Sequence, residues 1–233
     1  MQGPLTNQIA VVTGASSGIG KAIAEALGAQ GATLCLLGRN VDALQLPAPR
    51  VARFTVDLGD ELQIRDVAAR LQKDLGGVDI LIHSAGVFVQ DGPDPHADFY
   101  LQHRLNVRAP SLLTQELLPA LQARHGQIVF INSSVARRSP AGVSHYTETK
   151  TALKAFADSL RDEVNSTGVR VLSVFPGRTA TPMQAEIHRL EGKEYRPERL
   201  LQPEDIASVV IHTLCLPRTA EVTEIDIRPM QKP

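Results

Sequence analysis

Ile9-Ala10-Val11-Val12-Thr13-Gly14-Ala15-Ser16-Ser17-Gly18-Ile19-Gly20-Lys21-Ala22-Ile23-Ala24-Glu25-Ala26-Leu27 is the stretch that decides the fold. An apolar run, a glycine turn and a helical pattern follow one another without a break. Gly14, Gly18 and Gly20 let the main chain approach a pyrophosphate closely. The helix opening there offers free N–H groups and a positive dipole end. Ser16, Ser17 and Ile19 complete the turn. The spacing is G-x-x-x-G-x-G, not the commoner G-x-G-x-x-G, and a purely architectural turn is the competing reading.

Outward from this unit, short apolar runs alternate with amphipathic stretches. The runs predict strands over Ile9–Thr13, Thr33–Leu37, Val51–Val56, Ile80–His83, Ile128–Asn132, Val169–Phe175 and Val222–Ile227. Most are near-continuous in Val, Ile and Leu, as strands buried on both faces require. Helical patterns fall over Lys21–Gln30, Leu62–Leu75, Phe99–Ala123, Tyr146–Asn165 and Glu204–Leu216. The alternation predicts an α/β fold, a doubly wound, mainly parallel seven-stranded sheet with helices on both faces. No linker divides residues 1–233, so one domain is expected. Its least regular segment, about 178–203, is placed to cover a ligand at the carboxyl ends of the strands.

Composition narrows the partners. With 24 Lys+Arg against 25 Asp+Glu and a formal net charge of −1, nothing points to nucleic acid. Cys35 and Cys215 lie in apolar runs and read as packed thiols. Neither they nor the seven histidines show metal-ligand spacing, so no metal site is expected. Met1–Thr6 lack the basic and apolar regions of a signal peptide, and no apolar run approaches the ~18 residues of a membrane span. A cytoplasmic protein with no membrane partner is the expectation.

Arg39 follows Leu36-Leu37-Gly38, where such folds meet the adenosine ribose. A carboxylate there would hold a free 2′-hydroxyl, whereas an arginine pairs with a 2′-phosphate. NADP(H) is therefore favoured over NAD(H), with a solvated surface arginine as the bland alternative. Asp57 and Leu58 close the third strand, where a carboxylate either accepts from an adenine amino group or caps a helix. The small residues Ser84, Ala85 and Gly86 after the fourth strand let the backbone lie beside a cofactor. Tyr146 and Lys150, four residues apart, share a helix face. A nucleotide cradle with a phenol and an ammonium suggests carbonyl–alcohol redox chemistry.

Thr13–Gly20, Asp57-Leu58, Ser84-Ala85-Gly86, Asn106-Val107, Ile131-Asn132-Ser133, Tyr146–Lys150 and Pro176–Thr181 together resemble the motifs of the short-chain dehydrogenase/reductase family, compact single-domain type. The resemblance runs from Leu5 to about Ile227. It implies a Rossmann-type fold, hydride transfer between NADP(H) and a small ketone or secondary alcohol, and a homodimer or homotetramer. Two departures stand out: His83-Ser84 replaces the family's common pair of asparagines, and the usual C-terminal glycine-rich tail is missing.

The resemblance also implies roles. Tyr146 is the general acid in reduction and the general base in oxidation, its pKa lowered by the Lys150 ammonium. Lys150 also bonds the nicotinamide ribose. Ser133 steadies the substrate oxygen, thirteen positions before Tyr146, with Ser134 as the alternative. Asn106 holds a water leading from Lys150 to solvent. Pro176-Gly177 turns the chain across the nicotinamide, the Thr179 backbone meets the carboxamide, and the Thr181 hydroxyl meets a phosphate or caps a turn. Phe88, Val143, Met183, Ile187 and Tyr195 are candidate pocket walls; Arg137 and Arg138 are a solvated pair or meet a substrate carboxylate. Leu153, Phe156, Leu160 and Val164 recur at helical spacing as core or a dimer face. A non-catalytic NADP(H)-binding sensor is the alternative reading, and an epimerase or dehydratase holding its cofactor tightly is the third. The intact set Asn106, Ser133, Tyr146 and Lys150 favours the enzyme over the sensor.

Overall fold

The computed structural model describes residues 3–90 and 95–231; Met1 and Gln2, part of the signal-peptide reading, lie outside them. In chain order the main elements are β1 (Ile9–Thr13), α1 (Gly18–Ala29), β2 (Thr33–Gly38), β3 (Val51–Thr55), α2 (Glu61–Leu75), β4 (Ile80–His83) and α3 (Pro95–His103). After a π-helical turn at Arg104–Arg108 come α4 (Ala109–Ala123), β5 (Gln127–Ile131), α5 (Val135–Arg138) and α6 (Ser144–Val164). The chain then forms β6 (Arg170–Pro176), α7 (Pro182–Leu190), α8 (Pro203–Leu214) and β7 (Glu224–Ile227). The seven strands make one all-parallel sheet in the order β3-β2-β1-β4-β5-β6-β7.

Strand alternation sorts the apolar residues into two layers. Val11, Cys35, Leu37, Leu81, Ile128, Phe130 and Val171 pack with α2, α4 and α6 through Ile64, Leu71, Leu117, Leu153 and Leu160. Their neighbours Ala10, Val12, Leu34, Leu36, Ile82, Val129 and Val174 pack with α1 and α8 through Ile23, Leu27, Ile206 and Val210. Both sheet faces are covered, which is why the strand sequences run almost unbroken in aliphatic residues. The chain winds outward from β1 to β3, then returns to lay β4 on the other side of β1. The Gly14 turn and the Ser84–Gly86 loop therefore flank a topological switch point, where such sheets open a crevice.

The structure differs from expectation in four places. The expected helix Phe99–Ala123 is broken by the π turn, because Pro110 has no N–H to close an α-turn on the Asn106 carbonyl. The 178–203 segment carries an ordered helix, α7, and its ends are tied by a parallel bridge between Thr179 and Leu201. β7 is shorter than predicted, beginning at Glu224. Cys215 is not packed: it ends α8 and is exposed, whereas Cys35 is buried and its thiol is pushed up to about 12 by desolvation.

Candidate active site

The glycine turn is built by close contact. Gly14 and Gly18 both hold left-handed backbone, at φ +69° and +52°. A Cβ on Gly14 would lie 2.7 Å from the Ala85 nitrogen, and one on Gly18 would lie 2.9 Å from Thr181 Cγ2. Gly20 lets α1 lean on the turn, since its Cβ would fall 2.3 Å from the Gly14 carbonyl oxygen. Ser17 caps α1 in extended conformation without a side-chain bond to the helix and is exposed on the cleft, beside the helix's free first-turn N–H groups.

A cleft of about 320 Å³ opens on this turn. Its wall brings together Gly14, Ser16, Ser17, Gly18, Ile19, Arg39, Asp57, Leu58, Ser84, Ala85, Gly86, Tyr146, Lys150 and Thr181. Asn40, Val56, Val87, Leu105, Asn132, Pro182 and Met183 join them. Asn132, in the Ile131-Asn132-Ser133 motif, and Met183 had been singled out from the sequence; Asn40 and Val87 were legible as neighbours of Arg39 and Gly86. Gly20 lies buried beneath the turn, while Asn106, Ser133, Pro176, Gly177 and Thr179 stand outside this wall. The cleft fits a dinucleotide in its donors as well as its shape. Arg39 is exposed with no ion pair among the described residues, and the buried amide nitrogen of Asn132 has no partner. Asp57 does not cap α2; Asp60 does, accepting from Leu62 and Gln63, while Asp57 accepts from the Gly59 N–H at 2.8 Å.

Tyr146 and Lys150 rise from the first turns of α6, and Ser133 lies just past β5. The Ser133 hydroxyl lies near enough to the Tyr146 phenol to favour its ionised form. Lys150 Nζ donates to the Ile131 carbonyl at 3.1 Å and sits 5.9 Å from the Tyr146 ring centroid. Asn106 is held from three sides: its Oδ1 accepts from the Val87 N–H at 2.8 Å, and its Nδ2 donates to the Val87 carbonyl at 2.9 Å and to Thr149 Oγ1 at 3.2 Å. Gly86 passes between Asn106 and Lys150; a Cβ there would meet Asn106 Oδ1 at 3.0 Å and Lys150 Nζ at 3.8 Å.

Burial acts against one expectation. Desolvation pushes the Tyr146 phenol up to about 12, opposed by the nearby Ser133 hydroxyl. The same enclosure pushes Lys150 down to about 8. In the protein alone, burial is the largest influence on the phenol and acts upward. His83, which replaces an asparagine of the family pattern, is 4% exposed, bonded to Thr114 Oγ1 at 2.8 Å and stacked on Phe130.

At the mouth, Phe88 stands edge-on to Tyr146 at 5.4 Å. Tyr195 instead packs on His188 at 5.4 Å, and His145 on Phe99 at 5.4 Å. Ile187 lies in α7 and Val143 caps α6; neither joins the cleft wall. Arg137 is not a solvated arginine: it pairs with Glu224 and Asp226, and its guanidinium lies 3.8 Å over the Phe175 ring. The Thr181 hydroxyl caps α7, accepting from Gln184 at 3.2 Å, and the Thr179 hydroxyl donates to the Gly177 carbonyl.

A family model described as short chain dehydrogenase matches residues 8–192. The chain belongs to that family. This short-chain dehydrogenase is 33% identical to an uncharacterized oxidoreductase of Staphylococcus aureus strain N315, over 97% of this chain and 99% of that protein. Among solved structures it resembles the alcohol dehydrogenase of the archaeon Thermococcus sibiricus complexed with 5-hydroxy-NADP, with a TM-score of 0.86 and 27% identity over 97% and 98% of the two chains. The L-sorbose reductase of Gluconobacter frateurii complexed with NADPH and L-sorbose is similar too, with a TM-score of 0.85 and 27% identity over 97% of each chain. The short-chain dehydrogenase is thus an oxidoreductase with a Rossmann-like nucleotide-binding fold. Among the described residues no helix is long and apolar enough to cross a membrane, and no group of His, Cys, Asp and Glu is arranged to hold a metal ion.

Proposed function

We propose that this short-chain dehydrogenase is an NADP(H)-dependent oxidoreductase interconverting a ketone and a secondary alcohol. The carrying observation is the Tyr146 phenol, in the same cleft as the glycine turn, with Lys150 one helical turn away and Ser133 beside it. A bound nicotinamide supplies or accepts the hydride. Tyr146 gives its proton to the carbonyl oxygen in reduction and takes it back in oxidation; the phenol is protonated at neutral pH, the form that donates. Ser133 donates to the same oxygen and steadies its developing charge. Lys150, anchored by the Ile131 carbonyl, holds the nicotinamide ribose and relays protons through a water at Asn106. Gly14, Ser16, Ser17, Gly18 and Ile19 cradle the pyrophosphate, and Asp57, Leu58, Ser84, Ala85 and Gly86 line the adenosine and ribose. Pro176, Gly177, Thr179 and Thr181 border the nicotinamide end, and residues 178–203 cover the substrate. Arg39 takes the 2′-phosphate, a reading supported by the two structural neighbours bound to NADP-type cofactors. A cytoplasmic homodimer or homotetramer completes the proposal.

Fluorescence titration with NADPH and NADH, followed by NADPH oxidation against ketones and aldehydes, tests this. NADPH-selective binding with turnover supports it; binding without turnover returns the sensor reading, and no binding removes the cofactor assignment. Arg39→Asp is expected to shift preference toward NADH, and an unchanged cofactor ratio takes Arg39 out of the argument.

A further inference from the structure

We infer that the substrate is uncharged around its carbonyl: a ketone flanked by apolar groups, not an oxo acid. The inference rests on the reductase reading above and narrows it.

Three arginines follow the carboxyl ends of β5 and β6, where a substrate carboxylate would look for a partner, and none of them lines the cleft. Arg137 is clamped by Glu224 and Asp226 and stacked on Phe175. Arg178 grips both oxygens of Glu191, at 2.7 and 2.9 Å, and its other nitrogen lies 3.4 Å from His188 Nε2. Arg138 lines a separate hollow toward β7 with Ser134 and Glu224. His145 lies against the Phe99 ring. Of the cations lining the cleft, Arg39 stands at the end assigned to the adenosine, and Lys150 beside Tyr146 donates to the Ile131 carbonyl and is assigned to the cofactor ribose.

The surface offered in their place is apolar. Val87, Pro182 and Met183 belong to the cleft wall, and Phe88 packs in a T-shaped arrangement with the Tyr146 ring. Met183 keeps 37% of its surface exposed, an apolar face open to contact. A carboxylate entering here gives up its water and meets no arginine of β5 or β6, whereas an alkyl or aryl group buries surface at no such cost. Discrimination follows from the site's lack of a partner.

Matched pairs test it: 4-oxopentanoate, 4-oxo-4-phenylbutanoate and 2-oxo-4-phenylbutanoate, each against its ethyl ester, with NADPH as reductant. The ester is expected to exceed its acid in kcat/KM by roughly a hundredfold, chiefly through KM. Met183→Arg, placing a cation on the wall, is expected to shrink that ratio by roughly tenfold, with NADPH binding as the check on folding. Acids turned over within threefold of their esters overturn the inference and leave the reductase reading standing. So does a selective loss of acid turnover in Arg138→Gln. Turnover of none of the six overturns the reductase reading and this inference with it.

Discussion

Thr149 shows how much of a catalytic group's geometry rests on a residue with no chemistry of its own. Its hydroxyl donates to the Tyr146 carbonyl at 2.9 Å, so its lone pairs are left to accept from Asn106 Nδ2. One fully buried hydroxyl thereby ties the tyrosine turn to the asparagine amide. Thr149→Val is expected to lower kcat by about tenfold with substrate KM little changed, and Thr149→Ser to restore it, because the serine keeps the hydroxyl. Equal loss in both variants assigns Thr149 to packing alone. Tyr146→Phe removes the proton donor itself; turnover should fall by roughly 10³-fold while NADPH titrates as in the parent. Residual activity near the parental level would refute the proton-transfer role. The Tyr–Lys spacing was legible because both groups sit on one helix, one turn apart. Thr149 was not, because its partner lies 43 positions away and only the fold brings them together.

At the scale of elements, the strands were readable because burial on both faces leaves nearly unbroken aliphatic runs, and α1 because its glycines sit where the chain must touch itself. The π turn escaped notice because apolar spacing continues through it, although Pro110 was in plain view. An α-helix would close on the Asn106 carbonyl through the N–H of position 110, which a proline does not have; instead Ala109 bonds back to Arg104. Pro110→Ala supplies that donor and removes a reason for the π turn. The variant is expected to fold with unchanged or raised thermal stability, while kcat drops several-fold as the Asn106 carbonyl is drawn into the helix. Full activity would mean that the π turn is held by tertiary contacts such as Asn106–Val87 and not by the proline. Neither was the Arg137 anchorage legible, since Glu224 and Asp226 come from the last strand and nothing local marks them as its partners.

For the whole molecule, the central strand carries a titration that should shape acid stability. His83 lies in β4, between β1 and β5, and its ring reaches Thr114 on α4 and stacks on Phe130 at 4.9 Å. Burial without a countercharge pushes it down to about 3. An unfolded histidine titrates near 6.5, so between pH 6.5 and 3 the unfolded chain binds a proton that the native protein refuses. Stability present above 6.5 is therefore lost as pH falls, by about 1.4 kcal/mol per unit from this group alone. Lys150, pushed down to about 8, acts with the same sign in a separate window above that value, so it leaves the acid limb untouched. Surface carboxylates paired in the native state add to the acid slope, and only a comparison isolates the histidine. His83→Asn removes the titrating ring from the same place; its urea midpoint at pH 7 should fall with the lost stacking and Thr114 bond. Between pH 6.5 and 4.5, however, its stability should decline less steeply than the parent's, by the slope of one proton. Parallel declines in the two proteins would show that His83 accepts its proton without unfolding the sheet around it.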